Sequence, residues 1–533
     1  MREDLGNVGR VSSTGNGIPH RKMRVISDFG QRLLFSASVS SPKPGFATPF
    51  PIVSGCRMCS AQSAKRPSGV VRKGLLLLPA IVSGFVAGPS ALSRRAATSA
   101  RAVSNAEEHE EWLALESALP QGFRVGTSSL EFTPVEAPIP AKMSLSLVQL
   151  DKPSPAFGAM FTRNAFPGSP VHVGRRRLDE PAIQAVLVNN KISNVCPGGD
   201  GTAPGVRDCE VVCQAVADEL GLPSGAYVFP SSTGVIGWRL PVDQMVAAIP
   251  NAVQTLQSES ALPAARSIMT TDRYPKVRSV TLPGGGRIVG IAKGAGMIEP
   301  HLATMLSFVF TDIIVSREEL RQILRRSVDV SFNCLSIDSD ESTSDTVFAV
   351  SSGLVEADPA EFEAAFTEVC QSLARDVVRN GEGTNHVMEI CISGAPNFKF
   401  AQELGRAVAN SPLFKCAIAG NDPNVGRLLA TVGKYLGELD SPVPVDKCKL
   451  TFGKHTVFEQ GQFKLNPATE SDLNEHMRAA EMSSPSDLSS LTFPPHEHTV
   501  KIGVDLGVGD AAATIYGSDL TAEYVAINAD YRS

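Results

Sequence analysis

Residues 291–306 combine features that could support chemistry at a hydroxyl group. A glycine-rich lead, Lys293-Gly294-Ala295-Gly296, precedes Ala303-Thr304 in an apolar surrounding. A threonine hydroxyl is a weak nucleophile until a neighbouring base takes its proton. Considered alone, Thr304 is best interpreted as a structural residue, and other motifs of the chain must show whether it reacts.

The glycine-rich stretches do not indicate a nucleotide site. The run Lys293–Gly296 lacks the Gly-Lys-Ser/Thr ending of a phosphate loop. Leu282–Gly286 lies between two strand-like runs and is typical of a hairpin turn. Gly507–Ala512 matches a dinucleotide fingerprint, but the 21 residues after it cannot complete a β-α-β unit. We therefore discount dinucleotide binding.

Metal-binding patterns are also weak. Cys56 and Cys59 form a Cys-x-x-Cys pair with no second such pair, and a structural zinc site needs four ligands. His496-Glu497-His498 lacks the one-turn helical spacing of a metalloprotease motif. The acidic run Asp338–Asp345 lacks the glycine and final glutamate of a calcium loop, so we interpret it as a capped turn. We expect free thiols, no metal site and no bound cofactor.

Six motifs occur in the order and at the spacing of one family. They are Ser231–Gly237, Lys293–Leu306, Asp338–Thr346, Asn380–Gly383, Asn421–Arg427 and Ile527–Ser533. Together they resemble the ornithine acetyltransferases of arginine biosynthesis, the ArgJ family, over residues 121–533. The resemblance implies an α/β layered fold of the N-terminal-nucleophile type, self-cleaved into two chains. These would be an alpha chain, 106–303, and a beta chain, 304–533, and two of each would form a heterotetramer.

The resemblance implies that the Ala303–Thr304 bond is cut, so that Thr304 gains a free α-amine. This amine, with an ordinary pKa of ~7.7 to 8.0, can accept the hydroxyl proton. The acetyl group would pass from N2-acetyl-L-ornithine to Thr304 and then to L-glutamate, which gives L-ornithine and N-acetyl-L-glutamate. By the same resemblance, the Thr233 hydroxyl and the Gly234 N–H stabilise the oxyanion. Glu382 would carry a proton or hold the substrate amine.

The resemblance also places a set of residues against the substrate. Lys293 would pair with a substrate carboxylate as a compact cation. Three of the motifs depart from the family pattern. Ala295 replaces a serine, His301-Leu302 replaces Asn-Met, and Thr384-Asn385-His386 replaces Ala-Thr-Lys, a change that removes a cation near the site. The segment Asn421–Arg427 is interpreted as structural. The expected substrate-binding residues are Thr270, Lys293, Thr304, Glu382, Asn528 and Ser533.

Three alternatives stay open at the level of the sequence. The first is a self-processing aminopeptidase or amidohydrolase, in which water takes the acyl group from the same nucleophile. The second is an uncleaved relative that only binds ligand, against which the retention of Thr304, Glu382 and the Thr233-Gly234 pair argues. The third is a bifunctional enzyme that also accepts acetyl-CoA as donor, although no CoA motif is recognisable.

Alternating patterns predict a mixed α/β body. Strands are predicted over 184–189, 388–393 and 414–419. Helices are predicted over 207–220, from the Ser316–Glu319 capping box to 326, from Asp358-Pro359 to Asn380-Gly381, over 400–410 and over 426–436. The Pro-rich segments 138–155 and 483–495 are predicted to be surface loops.

Residues 1–105 differ in composition from the rest of the chain. They hold 15 Lys and Arg against three acidic residues, a net charge of +12, whereas the remainder carries −18. An Arg- and Ser-rich, acid-poor head is typical of an organellar presequence, and the apolar run 75–87 is too short to cross a bilayer. A two-part plastid signal, a mitochondrial presequence and a later translation start all fit this composition. The overall charge of −6 argues against a nucleic-acid partner, and we expect small-molecule substrates. From the composition of residues 1–105 we expect the protein in a mitochondrial matrix or a plastid stroma.

Overall fold

The computed structural model describes residues 109–299, 305–439, 443–482 and 497–529. Four predictions lie outside these residues: the presequence in 1–105, the Ala303–Thr304 cleavage site, the Pro-rich loop 483–495 and the role of Ser533. Within the described ranges, no helix is both long and apolar enough to cross a membrane.

Helices and strands alternate along the described chain, as the sequence predicts. The strands are Phe123–Phe132 (β1), Ala141–Ser154 (β2), Phe157–Phe161 (β3), Ile183–Asn189 (β4), Val228–Ser232 (β5), Lys276–Thr281 (β6), Arg287–Lys293 (β7), Leu306–Ile313 (β8), Leu335–Ser336 (β9), Thr346–Val355 (β10), Val387–Ala395 (β11), Lys449–Phe452 (β12), His455–Glu459 (β13), Gln462–Phe463 (β14), Val500–Asp505 (β15) and Ala511–Ser518 (β16). The helices are 109–116 (α1), Ser169–Arg177 (α2), Pro204–Leu220 (α3), Val242–Gln254 (α4), Leu262–Ser267 (α5), Arg317–Asp329 (α6), Pro359–Arg379 (α7), Phe398–Ala409 (α8), Pro412–Ala419 (α9), Val425–Glu438 (α10), Pro467–Ala480 (α11) and Ala522–Ala529 (α12).

Two sheets pack face to face between two layers of helices. The first sheet has the order β1-β2-β4-β5 and the second the order β3-β10-β8-β7-β6. Their facing side chains form one core, in which Val186 and Val188 of β4 belong to the same cluster as Phe308 and Phe310 of β8. Helices α3 and α4 cover the outer face of the first sheet, and α6 and α7 cover that of the second. This α/β layering confirms the predicted fold class.

The alternation of side chains along β8 explains the double core. Phe308 and Phe310 point to the first sheet, whereas Val309 belongs to the cluster formed with α6 and α7. Successive residues of a strand face opposite sides, so a strand that is buried on both faces is mostly apolar. In β8 the polar exceptions are Ser307, Thr311 and Asp312, which are also buried. The eight residues of β8 are all buried. The strand that follows the predicted cleavage site therefore lies at the centre of the fold.

A third sheet, of order β14-β13-β12-β15-β11-β16-β9, carries helices α8 to α11 on its own core. Strand β11 confirms the prediction over 388–393, and α8 and α10 confirm the helices predicted over 400–410 and 426–436. Strand β4 and helices α3, α6 and α7 confirm the remaining predictions. The predicted Ser316–Glu319 capping box is present at the start of α6.

Two predictions about secondary structure are wrong. Residues 414–419 form helix α9 rather than a strand, because Pro412 occupies the first helical turn after Ser411 and the apolar Phe414 and Ile418 stack four residues apart on one buried face. Residues 141–154, which were expected in a loop, form the 14-residue strand β2. That strand pairs with β1 over ten residue pairs and lies inside the first sheet.

The Leu282–Gly286 prediction is confirmed. The segment joins the antiparallel strands β6 and β7, and the Leu282 N–H donates to the Gly286 carbonyl at 2.8 Å. Its glycines therefore make a hairpin turn.

Candidate active site

Strand ends from both central sheets meet around one cavity of about 260 Å³. Lys293 ends β7, Met305 precedes β8 and Asp345 precedes β10. Strand β7 pairs antiparallel with β8, and β8 pairs parallel with β10. These pairings bring the three residues to the same end of the neighbouring strands. The sequence-predicted residues that line the cavity are Thr233, Gly234, Thr270, Lys293, Glu382 and Asn528. Thr304 and Ser533 lie outside the described residues, but Met305, the next residue after Thr304, lines this cavity.

Thr233 and Gly234 form a tight turn directly after β5. Gly234 has φ +128°, a conformation that residues with a Cβ rarely adopt. A Cβ there would lie 2.7 Å from the Ile192 nitrogen and closer still to the Lys191 carbonyl group. The neighbouring N–H groups of Thr233 and Val235 donate to backbone carbonyls at 3.0 and 2.9 Å. The Gly234 N–H has no hydrogen-bond partner among the described residues and stays available as a donor.

Lys293 is a half-buried residue of the cavity wall. Its Nζ donates to Thr233 Oγ1 at 2.9 Å. Because this oxygen accepts from Lys293, the Thr233 hydroxyl proton is free to be donated to another acceptor, as an oxyanion would require. Burial lowers the pKa of Lys293, while the nearby Asp272 carboxylate opposes that shift.

Asp272 organises the lining on the Lys293 side, and no sequence pattern singled it out. It accepts from the Gly294 N–H at 2.8 Å and from the Thr270 N–H at 3.0 Å, and it forms a fully buried ion pair with Lys276. Burial alone would raise the pKa of Asp272, but the charges of Lys276 and Lys293 and the Gly294 N–H lower it to about 2. This carboxylate therefore joins the two segments that present Thr270 and Lys293.

Glu382 lies in the turn after α7 and is buried, rather than solvated as a loop carboxylate would be. Its N–H donates to the Ala295 carbonyl at 2.8 Å, and its Oε2 accepts from Asn528 Nδ2 at 2.9 Å. Helix α12, which carries Asn528, is tied to the same turn, because Thr521 Oγ1 donates to the Gly383 carbonyl at 2.6 Å. The structure thus brings Glu382 and Asn528 together from motifs about 146 positions apart.

The acidic loop 338–345 contributes to the cavity, which its sequence does not predict. The capped-turn interpretation accounts for Asp338, which accepts from the Met297 N–H at 2.7 Å and from the Ile298 N–H at 2.6 Å. The other end of the loop, 342–345, lines the cavity. Burial raises the pKa of Asp345 well above its usual range. A run of acidic and hydroxyl residues carries no mark that would have distinguished these two ends.

His386, where the family has a lysine, is not among the described residues that line the cavity. It is fully buried, with Nδ1 2.9 Å from Asp519 Oδ2 and Nε2 3.1 Å from Asn421 Oδ1. Asp519 also accepts from the Asn385 N–H at 3.0 Å. These contacts fix the end of the turn that carries Glu382.

The part of the chain that the structure describes contains no group of three or more His, Cys, Asp or Glu side chains arranged to hold a metal ion. The cavity chemistry described above is that of hydroxyl, amide, ammonium and carboxylate groups.

Comparisons with known proteins give a consistent result. The ArgJ family model matches residues 132–533. An "Arginine biosynthesis bifunctional protein ArgJ 2" of Clostridium acetobutylicum is 35% identical over 391 residues, which cover 73% of this chain and 93% of the relative. An "Arginine biosynthesis bifunctional protein ArgJ" of Ruegeria pomeroyi is 39% identical over 402 residues, which cover 74% and 91%. A solved ornithine acetyltransferase of Mycobacterium tuberculosis, complexed with ornithine, is 30% identical, covering 35% of this chain and 97% of that chain, with a TM-score of 0.31. The family match spans every cavity residue named above.

Proposed function

The chain belongs to the ArgJ family, and we propose that it is an acetyltransferase of arginine biosynthesis that transfers the acetyl group of N2-acetyl-L-ornithine to L-glutamate through Thr304. One observation carries the assignment of the site. Residues from motifs spread over about 300 positions converge on a single cavity beside Met305, the residue that follows Thr304.

The proposed reaction begins with self-cleavage of the Ala303–Thr304 bond. The freed α-amine of Thr304 takes the proton of its own hydroxyl while Oγ attacks the acetyl carbonyl. Collapse of the tetrahedral intermediate releases L-ornithine and leaves an acetyl ester on Thr304. The α-amine of L-glutamate then attacks this ester in the same way and leaves as N-acetyl-L-glutamate.

The oxyanion of each step is stabilised by the Thr233 hydroxyl and the Gly234 N–H. The contact from Lys293 leaves the Thr233 proton free to donate, and the Gly234 N–H has no partner within the described residues. Preorganised donors of this kind act without reorganisation at the moment of reaction, and one of them typically contributes ~10²- to 10³-fold in rate.

Lys293 and Glu382 bind the charged ends of the amino-acid substrates. The ammonium of Lys293 pairs with the α-carboxylate. Glu382, one oxygen of which is held by Asn528, accepts the side-chain ammonium of ornithine. Thr270 lies on the same wall as Lys293 and is held there by Asp272. The active assembly contains two alpha and two beta chains.

The test is a denaturing gel of the purified protein, with N-terminal sequencing and assays with and without glutamate. Two chains should appear, one of them beginning at Thr304, and Thr304→Ala should remain one inactive chain. N2-acetylornithine alone should place an acetyl group on the Thr304 peptide, and double-reciprocal plots should be parallel. An intact wild-type chain with full activity would refute the self-cleavage step. If ornithine is released at the same rate with and without glutamate, the hydrolase is favoured instead. The family match does not favour a hydrolase.

A further inference from the structure

Asp345 is a buried acid in the cavity wall that the proposed reaction leaves without a role. Its side chain is 2% exposed and lines the cavity with Lys293 and Glu382. The Met305 N–H and the Ser342 hydroxyl hydrogen-bond to its carboxyl group. Its Oδ2 is buried and has no hydrogen-bond partner among the described residues. A buried polar atom without a hydrogen-bond partner destabilises the folded protein, so we infer that Oδ2 gains a donor after the chain has been cleaved.

The sheet register fixes Asp345 beside Met305, the second residue after the predicted cleavage bond. In the parallel pair β8 and β10, Leu306 faces Thr346, and the Thr346 N–H donates to the Met305 carbonyl at 3.1 Å. Met305 and Asp345 therefore each lie one residue before the paired residues Leu306 and Thr346. The α-nitrogen of Thr304 is joined to the Met305 nitrogen by three bonds, so the two nitrogens are at most about 4.3 Å apart. Any group that binds the Met305 N–H is thus close to the amine that cleavage creates.

We propose that Asp345 is the positioning residue of the Thr304 α-amine: its Oδ2 accepts a hydrogen bond from this amine and stabilises the ammonium ion formed during acetyl transfer. The inference rests on the proposed function, because it requires a cleaved chain with Thr304 as acetyl carrier. It gives the site the third member that nucleophile and base pairs commonly have, a group that orients the base.

Each proton in this scheme is accounted for. The hydroxyl proton moves to the α-amine as the Oγ–carbon bond forms, and the ammonium is then paired with the Asp345 carboxylate. When the carbon–nitrogen bond of N2-acetylornithine breaks, the ammonium returns its proton to the leaving nitrogen. Asp345, which is neutral in the uncleaved chain, loses its proton to solvent when the Thr304 ammonium first forms. It then stays a carboxylate through both half-reactions and forms no bond to the acetyl group.

The charged groups that face Asp345 are Lys293 from β7, Glu341 from its own loop and Glu382 across the cavity. In the uncleaved chain, burial outweighs the attraction of Lys293 and favours the neutral acid. An ammonium ion at Thr304 adds a second positive charge, which favours the carboxylate and in turn raises the pKa of the amine.

The test compares Asp345→Asn with wild type over pH 5 to 9, measuring kcat/KM for N2-acetylornithine per mole of chain that begins at Thr304. The variant should be cleaved, its maximal rate should fall by about 10- to 100-fold, and the acid limb of its profile should move to lower pH by about one pH unit. The limb moves down because an amine without its carboxylate partner loses its proton more readily. Asp345→Glu should keep the limb near its wild-type position.

Asp312→Asn is the matched control. Asp312 is also 2% exposed and lies on β8, but it binds the N–H groups of Gln121 and Arg287 away from the cavity. It should leave the acid limb unchanged. Asp345→Ser supplies the same readout if the asparagine variant does not fold.

Two results would overturn the proposal. If the acid limb of the pH profile of kcat/KM stays at its wild-type position in Asp345→Asn and Asp345→Ser, Asp345 does not contact the amine. A folded Asp345→Asn protein that stays uncleaved would show that the carboxyl acts before any amine exists. Failure of the proposed function looks different, since wild type would then show no acetyl group on Thr304.

Discussion

Replacement of Gly296 by alanine should displace Glu382, whose carboxylate supplies the three atoms nearest to the added methyl group. A Cβ at Gly296 would lie 2.8 Å from the Glu382 Cδ and closer still to its Oε2, whereas ordinary contact begins at 3.4 Å. The glycine has no left-handed backbone conformation that would oppose a side chain. The new methyl group therefore pushes against the movable end of Glu382 rather than against backbone.

The size of the effect follows from this distance. To restore ordinary contact the carboxylate must withdraw by roughly 1 Å, and a misplacement of this size can lower a rate about 100-fold. We expect kcat/KM for N2-acetylornithine to fall by about that factor, which corresponds to about 2.7 kcal/mol of transition-state stabilisation. Loss of the Asn528–Glu382 hydrogen bond should lower the free energy of unfolding by only about 1 kcal/mol.

The assay follows acetyl transfer to glutamate and is normalised to the amount of chain beginning at Thr304, because Gly296 also precedes the cleavage site. Gly433→Ala is the control, since a Cβ at that position of α10 meets no atom within 4 Å and should stabilise the helix slightly. Wild-type kcat/KM in Gly296→Ala would refute the argument that Glu382 acts from its observed position. A rate loss matched by global unfolding in urea would refute it as well.

Two further predictions concern the cationic side of the cavity. Lys293→Met should raise the KM for N2-acetylornithine by about 10- to 100-fold in steady-state assays, because a charged hydrogen bond to the substrate is lost, and an unchanged KM would remove Lys293 from substrate binding. Asp272 has a folded-state pKa of about 2, below its ordinary value of 3.8, so its stabilisation is present above pH 4 and is lost as the pH falls towards 2. In urea unfolding, the stability gap between wild type and Asp272→Asn should therefore narrow by about 2 kcal/mol between pH 4 and pH 2, and a constant gap would contradict this account.

Local signals in the sequence predicted the helices well. Asp358 and Ser316 cap α7 and α6 as expected, because their side chains satisfy backbone N–H groups at the first turn. The two errors have different origins. A short apolar run such as 414–419 does not contain enough residues to distinguish the two-residue repeat of a strand from the 3.6-residue repeat of a helix. Strand β2 was hidden by the prolines at its ends, although its interior Met143, Leu145 and Leu147 alternate as a strand should.

The candidate site was predictable where a motif carried it and not where it depends on contacts between distant elements. Thr233, Glu382 and Asn528 were predicted from motifs, and the structure places all three at one cavity. The hydrogen bond from Lys293 to Thr233 joins residues 60 positions apart. The Gly294 N–H that donates to Asp272 lies 22 positions away from it. Neither interaction leaves a local pattern, because each exists only after the sheets have paired.

The charges of the cavity explain why one site can hold the proposed donor. N2-acetylornithine has an α-carboxylate and a side-chain ammonium, but its α-nitrogen is acylated and neutral. The described lining contains the ammonium of Lys293 and the carboxylate of Glu382, which in the proposed scheme pair with the first and the second group. Asp345 then remains for the ammonium of Thr304, a cation that belongs to the enzyme rather than to the donor. Because the three charged side chains come from the end of β7, the start of β10 and the turn after α7, this charge pattern is created by the fold and is absent from any single motif.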